Sequence, residues 1–216
     1  MKQSQAGFTL VEIAVVLVII GLLLGGVLKG QELINSAKAK SLINDFRSVS
    51  TMVYAYQDRF RFLPGDDPKA EAHLGTGTVA TTPASAQGNG RIEGAWDSAT
   101  TTDESFRVWL HVRKAGLTTG TTTLTDADYM PKNAENGPIG VTGVAPFSGM
   151  AGSFFVCSGR INARFARQID AALDDGVTNT GIVQAGTTTA GSAPTATALS
   201  PTNEGDGNVH TVCVAY

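Results

Sequence analysis

The feature that most constrains this chain is the stretch from Phe8 to Leu28, 21 residues in which Glu12 is the only ionisable side chain. As a helix rising about 1.5 Å per residue it measures about 31 Å, enough to cross a hydrocarbon core of about 30 Å. The stretch predicts a transmembrane helix. Ahead of it stands MKQSQAG, polar and carrying one cation at Lys2, which favours a cytoplasmic N-terminus; Lys29 at the far end weakens that bias. The remaining chain is then expected outside the cytoplasm. Two ordinary readings compete for such a segment, a secretory signal peptide and a simple signal anchor. Against the first, the run exceeds a typical signal core, and no A-x-A site stands at its end, where the chain reads GLLLGGVLKGQELI. The second leaves Glu12 unexplained, because an acid four residues into an apolar run costs about 2.5–3.5 kcal/mol on insertion scales and calls for a partner.

A partner arises if the chain is cut between Gly7 and Phe8. The new α-amino group on Phe8 is a cation about one turn from Glu12, and in a staggered bundle of identical helices the amine of one subunit meets the carboxylate of the next in a low-dielectric core. The residues that carry this reading, G-F-T-L-V-E at positions 7–12 followed by an unbroken apolar helix, resemble the type III leader of type IV pilins and type II secretion pseudopilins. The resemblance implies cleavage after Gly7 by a prepilin peptidase, N-methylation of Phe8 and a filament-assembly role for Glu12. It further implies other pilin or pseudopilin subunits and an inner-membrane assembly platform as partners, with the driving force supplied by a separate cytoplasmic ATPase. The fold it implies is α+β: a long N-terminal helix, transmembrane in its first half, packed on a globular domain with an antiparallel sheet, the ladle shape of pilins. Farther along, L-P-G-D at 63–66 and E-S-F-R-V-W-L-H-V-R-K-A-G-L at 104–117 resemble a subset of minor-pilin or pseudopilin-like proteins.

The expected organisation is a leader at 1–7, a membrane and filament-core helix at 8–28, an amphipathic continuation at 29–63 and an extracytoplasmic domain at 64–216. In the continuation Leu33, Ile34, Ala37, Leu42, Ile43, Phe46, Val49, Val53, Tyr56 and Phe60 recur at three- and four-residue steps. Pro64-Gly65 is the expected stop. Gly25, Gly26 and Gly30 each weaken the helix by up to about 1 kcal/mol, which suits either local melting in a filament or close helix packing. Residues 64–96, rich in turn formers, read as a long surface loop. A second helix follows, capped by Thr102 or Asp103, with Phe106, Trp109, Leu110 and Val112 buried, His111 at its edge and Gly116 as terminator. Toward the C-terminus a third helical face, Ile161, Phe165, Ile169, Ala172 and Leu173, lies between two strand-like runs, SFFVC and NVHTVCVAY, with a short run ending in GIVQA between helix and last strand.

The only cysteines, Cys157 and Cys213, sit in those two runs. Two is the number one bridge needs, and it would close a loop of about 57 residues worth about 4 kcal/mol at most; two buried thiols satisfy the count as well. A bridge would match the disulfide-bounded C-terminal region of many pilins. The net charge of −3 lacks the clustered positive field that phosphate binding needs, so protein and the lipid bilayer, not nucleic acid, are the expected partners. His73, His111 and His210 show no metal-protease spacing, and neither a G-x-S-x-G elbow nor a phosphate loop occurs, so no catalytic role and no cofactor are expected. Calcium is the one ion to consider, since some pseudopilins bind it in C-terminal loops: Asp170, Asp174 and Asp175 crowd a helix end, and Glu204, Asp206 and Asn208 alternate in a glycine-rich stretch. Neither matches a full calcium loop, and capping or turn roles are the expectation.

Overall fold

The computed structural model of the chain describes residues 10–187 and 195–216. Its longest element, helix α1 (Leu10–Phe60), holds no proline and runs unbroken through a Val- and Ile-rich opening and four glycines, residues of weak intrinsic helix propensity. The chain divides into two units, Met1–Lys38 and Ala39–Tyr216. In the first, the apolar side chains are exposed, from 46 % at Ile20 to 91 % at Leu10. Gly25, Gly26 and Gly30 lie within continuous helix. Leu33, Ile34 and Ala37, expected on the buried stripe, are exposed, and the first buried residue of α1 is Ala39. Their spacing is right for a stripe; no residue of the same chain covers them among those described.

In the second unit Leu42, Phe46, Val49 and Val53 of α1 are buried in one core with helix α3 (Glu104–Lys114), helix α4 (Ala163–Leu173) and one face of a sheet. Each such side chain contributes about 1.5–3 kcal/mol by leaving water. The sheet comprises β1 (Ile139–Thr142), β2 (Phe155–Asn162), β3 (Val183–Gly186) and β4 (Val209–Ala215), in the order β1-β2-β4-β3 with every neighbour antiparallel. Its side chains alternate as a two-sided sheet requires. Val156, Val212 and Val214 enter the large core, whereas Phe155, Cys157, Cys213 and Ala215 enter a smaller one under Trp96, Phe147 and Met150. Cys157 and Cys213 face each other directly across β2 and β4 and are joined by a disulfide.

Helix ends follow recognisable rules, with two departures from the sequence expectation. α1 stops at Phe60 because Arg61 turns left-handed at φ 66°, before Pro64-Gly65 is reached. α3 begins after Asp103, yet that side chain makes no cap bond; it accepts from Ser98 Oγ at 2.6 Å. The end of α3 is as expected: Gly116 at φ 75° lets Leu117 N–H reach the Val112 carbonyl and its own N–H the Arg113 carbonyl, the paired bonds of a Schellman turn. α4 is capped by Asn162, whose side chain accepts from Phe165 N at 3.1 Å. Its buried positions are Ala163, Phe165, Ala166, Ile169 and Asp170; Ile161 belongs to β2 and Ala172 is exposed.

Residues 64–96 are a largely irregular and partly exposed segment, as a surface loop would be, but they also send side chains into the core. Leu63, Asp66, Asp67, Ala70, Thr78, Ala80, Ile92 and Trp96 are buried, and the segment contains a short helix α2 (Ala70–Leu74). Its end covers the outer edge of β1, where Gly143 N donates to the Ile92 carbonyl at 2.6 Å and Thr142 Oγ1 to the Gly94 carbonyl at 2.7 Å. The opposite edge is covered too, since Ala185 N donates to the Thr178 carbonyl and Thr197 N to the Ala185 carbonyl. Covered edges protect a sheet from pairing with other chains.

Candidate functional site

Three places in the chain hold groups that sequence or burial singles out. The first is the head of α1. Glu12 lies in its first described turn, the only acid among exposed apolar side chains up to Leu28. Gly7 and Phe8, expected to flank a cleaved bond with Phe8 methylated, lie outside the described residues. From Leu10 onward α1 is long and apolar enough to cross a membrane, and none of its most apolar window is buried within the chain. A surface of this kind costs free energy in water over its whole length and is stable only in lipid or against other helices.

The second place is a polar knot at the junction of α1, α2 and α3. Asp67 is fully buried and accepts from Tyr56 Oη at 2.7 Å and from Lys69 N at 2.8 Å, with His73 Nδ1 at 2.7 Å. Burial, followed by the Asp67 carboxylate, pushes the Tyr56 hydroxyl well above its ordinary value, so it stays a donor. His111 is buried rather than at the edge of its helix. Its Nδ1 accepts from Gly65 N at 2.9 Å and its Nε2 donates to the Thr78 carbonyl at 2.8 Å. This pattern requires the neutral ring, and burial lowers its pKa to about 4. Next to it Asp66 collects the N–H groups of Gly88, Asn89 and Gly90. Gly65 must be glycine on two counts: its φ is +94°, and a Cβ there would collide with the Glu104 carbonyl oxygen. The knot thus organises backbone, tying residues 64–90 to the end of α1 and the face of α3.

Sequence reasoning missed this knot because each member, taken alone, reads as a turn former or a surface polar residue. The signal was L-P-G-D-D together with His111 set between Leu110 and Val112 of the buried stripe of α3. Trp109 is buried in the core, and Arg113 lies over its ring at 5.9 Å.

The third place is the segment after α4. Asp170 is buried, accepts from Gly176 N at 2.6 Å, and has its pKa raised to about 6, burial being the largest cause. Asp174 accepts from Val183 N and Asp175 from Val177 N. In the other acidic stretch Glu204 pairs with Arg167 and Asp206 accepts from Asn208 N. Asp170, Asp174, Asp175 and Asp206 thus accept backbone N–H groups and fix local chain direction, while Glu204 ties its segment to α4 through Arg167. Among the described residues no group of three or more His, Cys, Asp or Glu side chains is placed to hold a metal ion.

Neither the curated proteins nor the solved structures yielded a significant match to the chain. A protein-family model did: its description is the prokaryotic N-terminal methylation motif, and it matches residues 2–28. Those residues contain Gly7, Phe8 and Glu12 and the apolar opening of α1. The chain carries the prokaryotic N-terminal methylation motif over residues 2–28, the same residues on which its resemblance to type IV pilins and pseudopilins rests.

Proposed function

We propose that this chain is a structural subunit of a type IV pilus or a type II secretion pseudopilus. Prepilin peptidase cuts it between Gly7 and Phe8, the new amino group of Phe8 is methylated, and the subunit enters the filament through α1. The observation that carries this reading is the coincidence of the methylation motif at residues 2–28 with a helix whose apolar side chains are exposed. In this reading Glu12 meets the Phe8 amine of a neighbouring subunit and sets axial register. Before assembly the chain is a single-pass protein of the inner membrane, its N-terminus cytoplasmic and residues 64–216 periplasmic, an environment in which the Cys157–Cys213 disulfide persists. Long connections and a large C-terminal unit favour a minor or pseudopilin-like component over the bulk subunit. Its role is structural rather than catalytic, with other pilins and the assembly platform as partners.

Intact mass of the protein from membranes of cells with and without their prepilin peptidase tests the reading. Loss of residues 1–7 plus one methyl group, only where the peptidase is present, is the expected result. A full-length, unmethylated chain in both strains overturns it and leaves a membrane-anchored protein that forms no filament. Deleting the gene then separates the two machines: loss of secretion with surface fibres intact marks a pseudopilus, and loss of fibres marks a pilus.

A further inference from the structure

Glu104, the first residue of α3, is completely buried. Its Oε2 accepts from Glu93 N at 2.8 Å, while its Oε1 and the Oε2 of Glu93 are both cut off from solvent and meet no donor from the protein. Each side chain thus ends in an oxygen shielded from water that lacks a donor, and the Glu93 carboxyl acts directly on that of Glu104. Two ionised carboxylates cannot satisfy one another, because neither has a hydrogen to give. Around them the connection is tight. Ser105 N donates to the Glu93 carbonyl at 3.0 Å, Asn89 Nδ2 to Glu93 Oε1 at 2.8 Å, and one residue earlier Ile92 takes the Gly143 N–H at the edge of β1.

We propose that Glu93 and Glu104 share one proton at neutral pH, and that this clasp holds residues 88–96 against the start of α3 and the edge of β1. With the proton in place the pair carries one negative charge and each unpaired oxygen has a partner. Without it, the buried Glu104 carboxylate faces the shielded oxygen of the half-buried Glu93 with like charge, and residues 88–96 are released. Burial, then the hydrogen bond to Glu93, raise the pKa of Glu104 from 4.5 to about 9, and the charges that act on it, those of Glu93 and Asp66, are both negative. For an acid whose pKa is raised by folding, the folded state binds more protons than the unfolded state between the two values. The stability it contributes is therefore complete below about 4.5 and is lost as pH rises through about 9.

Thermal unfolding of the full chain in detergent, followed from pH about 6 to about 10, tests the clasp when wild type is set beside Glu104→Gln. The amide of the variant donates to Glu93 without needing a proton, so its Tm should hold on the alkaline side where that of wild type falls. Parallel profiles overturn the proposal. Should Glu104→Gln fail to fold, Glu93→Gln offers the same exchange from the other partner. Infrared absorption of a protonated carboxyl, present in wild type at neutral pH and lost in alkali, reads the proton itself; its absence at neutral pH counts against the clasp. A wild-type Tm that rises with added calcium and falls on chelation at fixed pH, while that of Glu104→Gln does neither, also overturns it, since a cation would then stand where the proton is placed.

Discussion

His111 is the residue whose environment is most at odds with its intrinsic chemistry. It accepts from Gly65 N and donates to the Thr78 carbonyl, which only the neutral ring can do, so acid must break one of these bonds before the ring can charge. Its pKa falls from 6.5 to about 4 on folding, and the unfolded chain therefore binds the extra proton first. Stability contributed by His111 is fully present above about 6.5 and is lost as pH falls toward 4, by about 3 kcal/mol in all. Asp45 and Asp170, both raised to about 6 by burial, act with the opposite sign over part of the same range, so the comparison must be between variants. His111→Phe should flatten the acid limb of the Tm profile and cost about 2–4 kcal/mol at neutral pH, by leaving the Gly65 N–H and Thr78 carbonyl unpaired. An acid limb unchanged by that substitution would show that the histidine does not set it.

At the scale of elements, the two helix ends make a controlled pair. Gly116 and Arg61 both sit just past a helix in the left-handed region, at φ 75° and 66°, but only glycine adopts it without steric cost. Gly116→Ala should lower stability by about 1 kcal/mol, and Arg61→Gly should raise it by about 0.5–1 kcal/mol, since the Arg61 side chain is largely exposed and its pairing with Asp58 is long at 3.8 Å. Denaturant melts of the two variants check both signs. The same pair explains what the sequence made legible. The end of α3 was readable because glycine announces it; the end of α1 was not, because arginine carries no such signal and Pro64-Gly65 offered a louder false one. β1 went unseen for a related reason: four residues bounded by Pro138 and Gly143 give too short a pattern to separate from a loop. Residues 64–96 have the composition of a surface loop, and much of the segment is exposed, yet it is pinned to the core at Asp66 and Asp67, which supply acceptors for backbone N–H groups that a free loop would leave to water.

For the whole molecule, the division at Lys38 and Ala39 separates two kinds of stabilisation. Every described core residue and the disulfide lie in the unit Ala39–Tyr216, while the methylation motif lies in the unit Met1–Lys38. The motif was plain in the sequence because its residues act in a fixed linear order; the hydrogen-bonded knot was not, because it joins positions as distant as Gly65 and His111. Substitutions should accordingly sort into two classes. Paired Cys157→Ser and Cys213→Ser changes remove a cross-link between residues 56 positions apart and should cost about 2–4 kcal/mol in unfolding free energy, yet leave removal of residues 1–7 unaffected whenever the chain reaches the membrane. Gly7→Val places a branched side chain at the expected cleavage site and should do the reverse, leaving the thermal transition of the C-terminal unit where it was while the leader stays attached. Glu12→Ala should be cut and fold normally but fail to enter filaments in competition with wild type. Tm, intact mass and filament content, measured together on the three variants, give a different pattern for each. A Glu12→Ala chain that assembles as well as wild type would break the link between that carboxylate and filament register, even with cleavage confirmed.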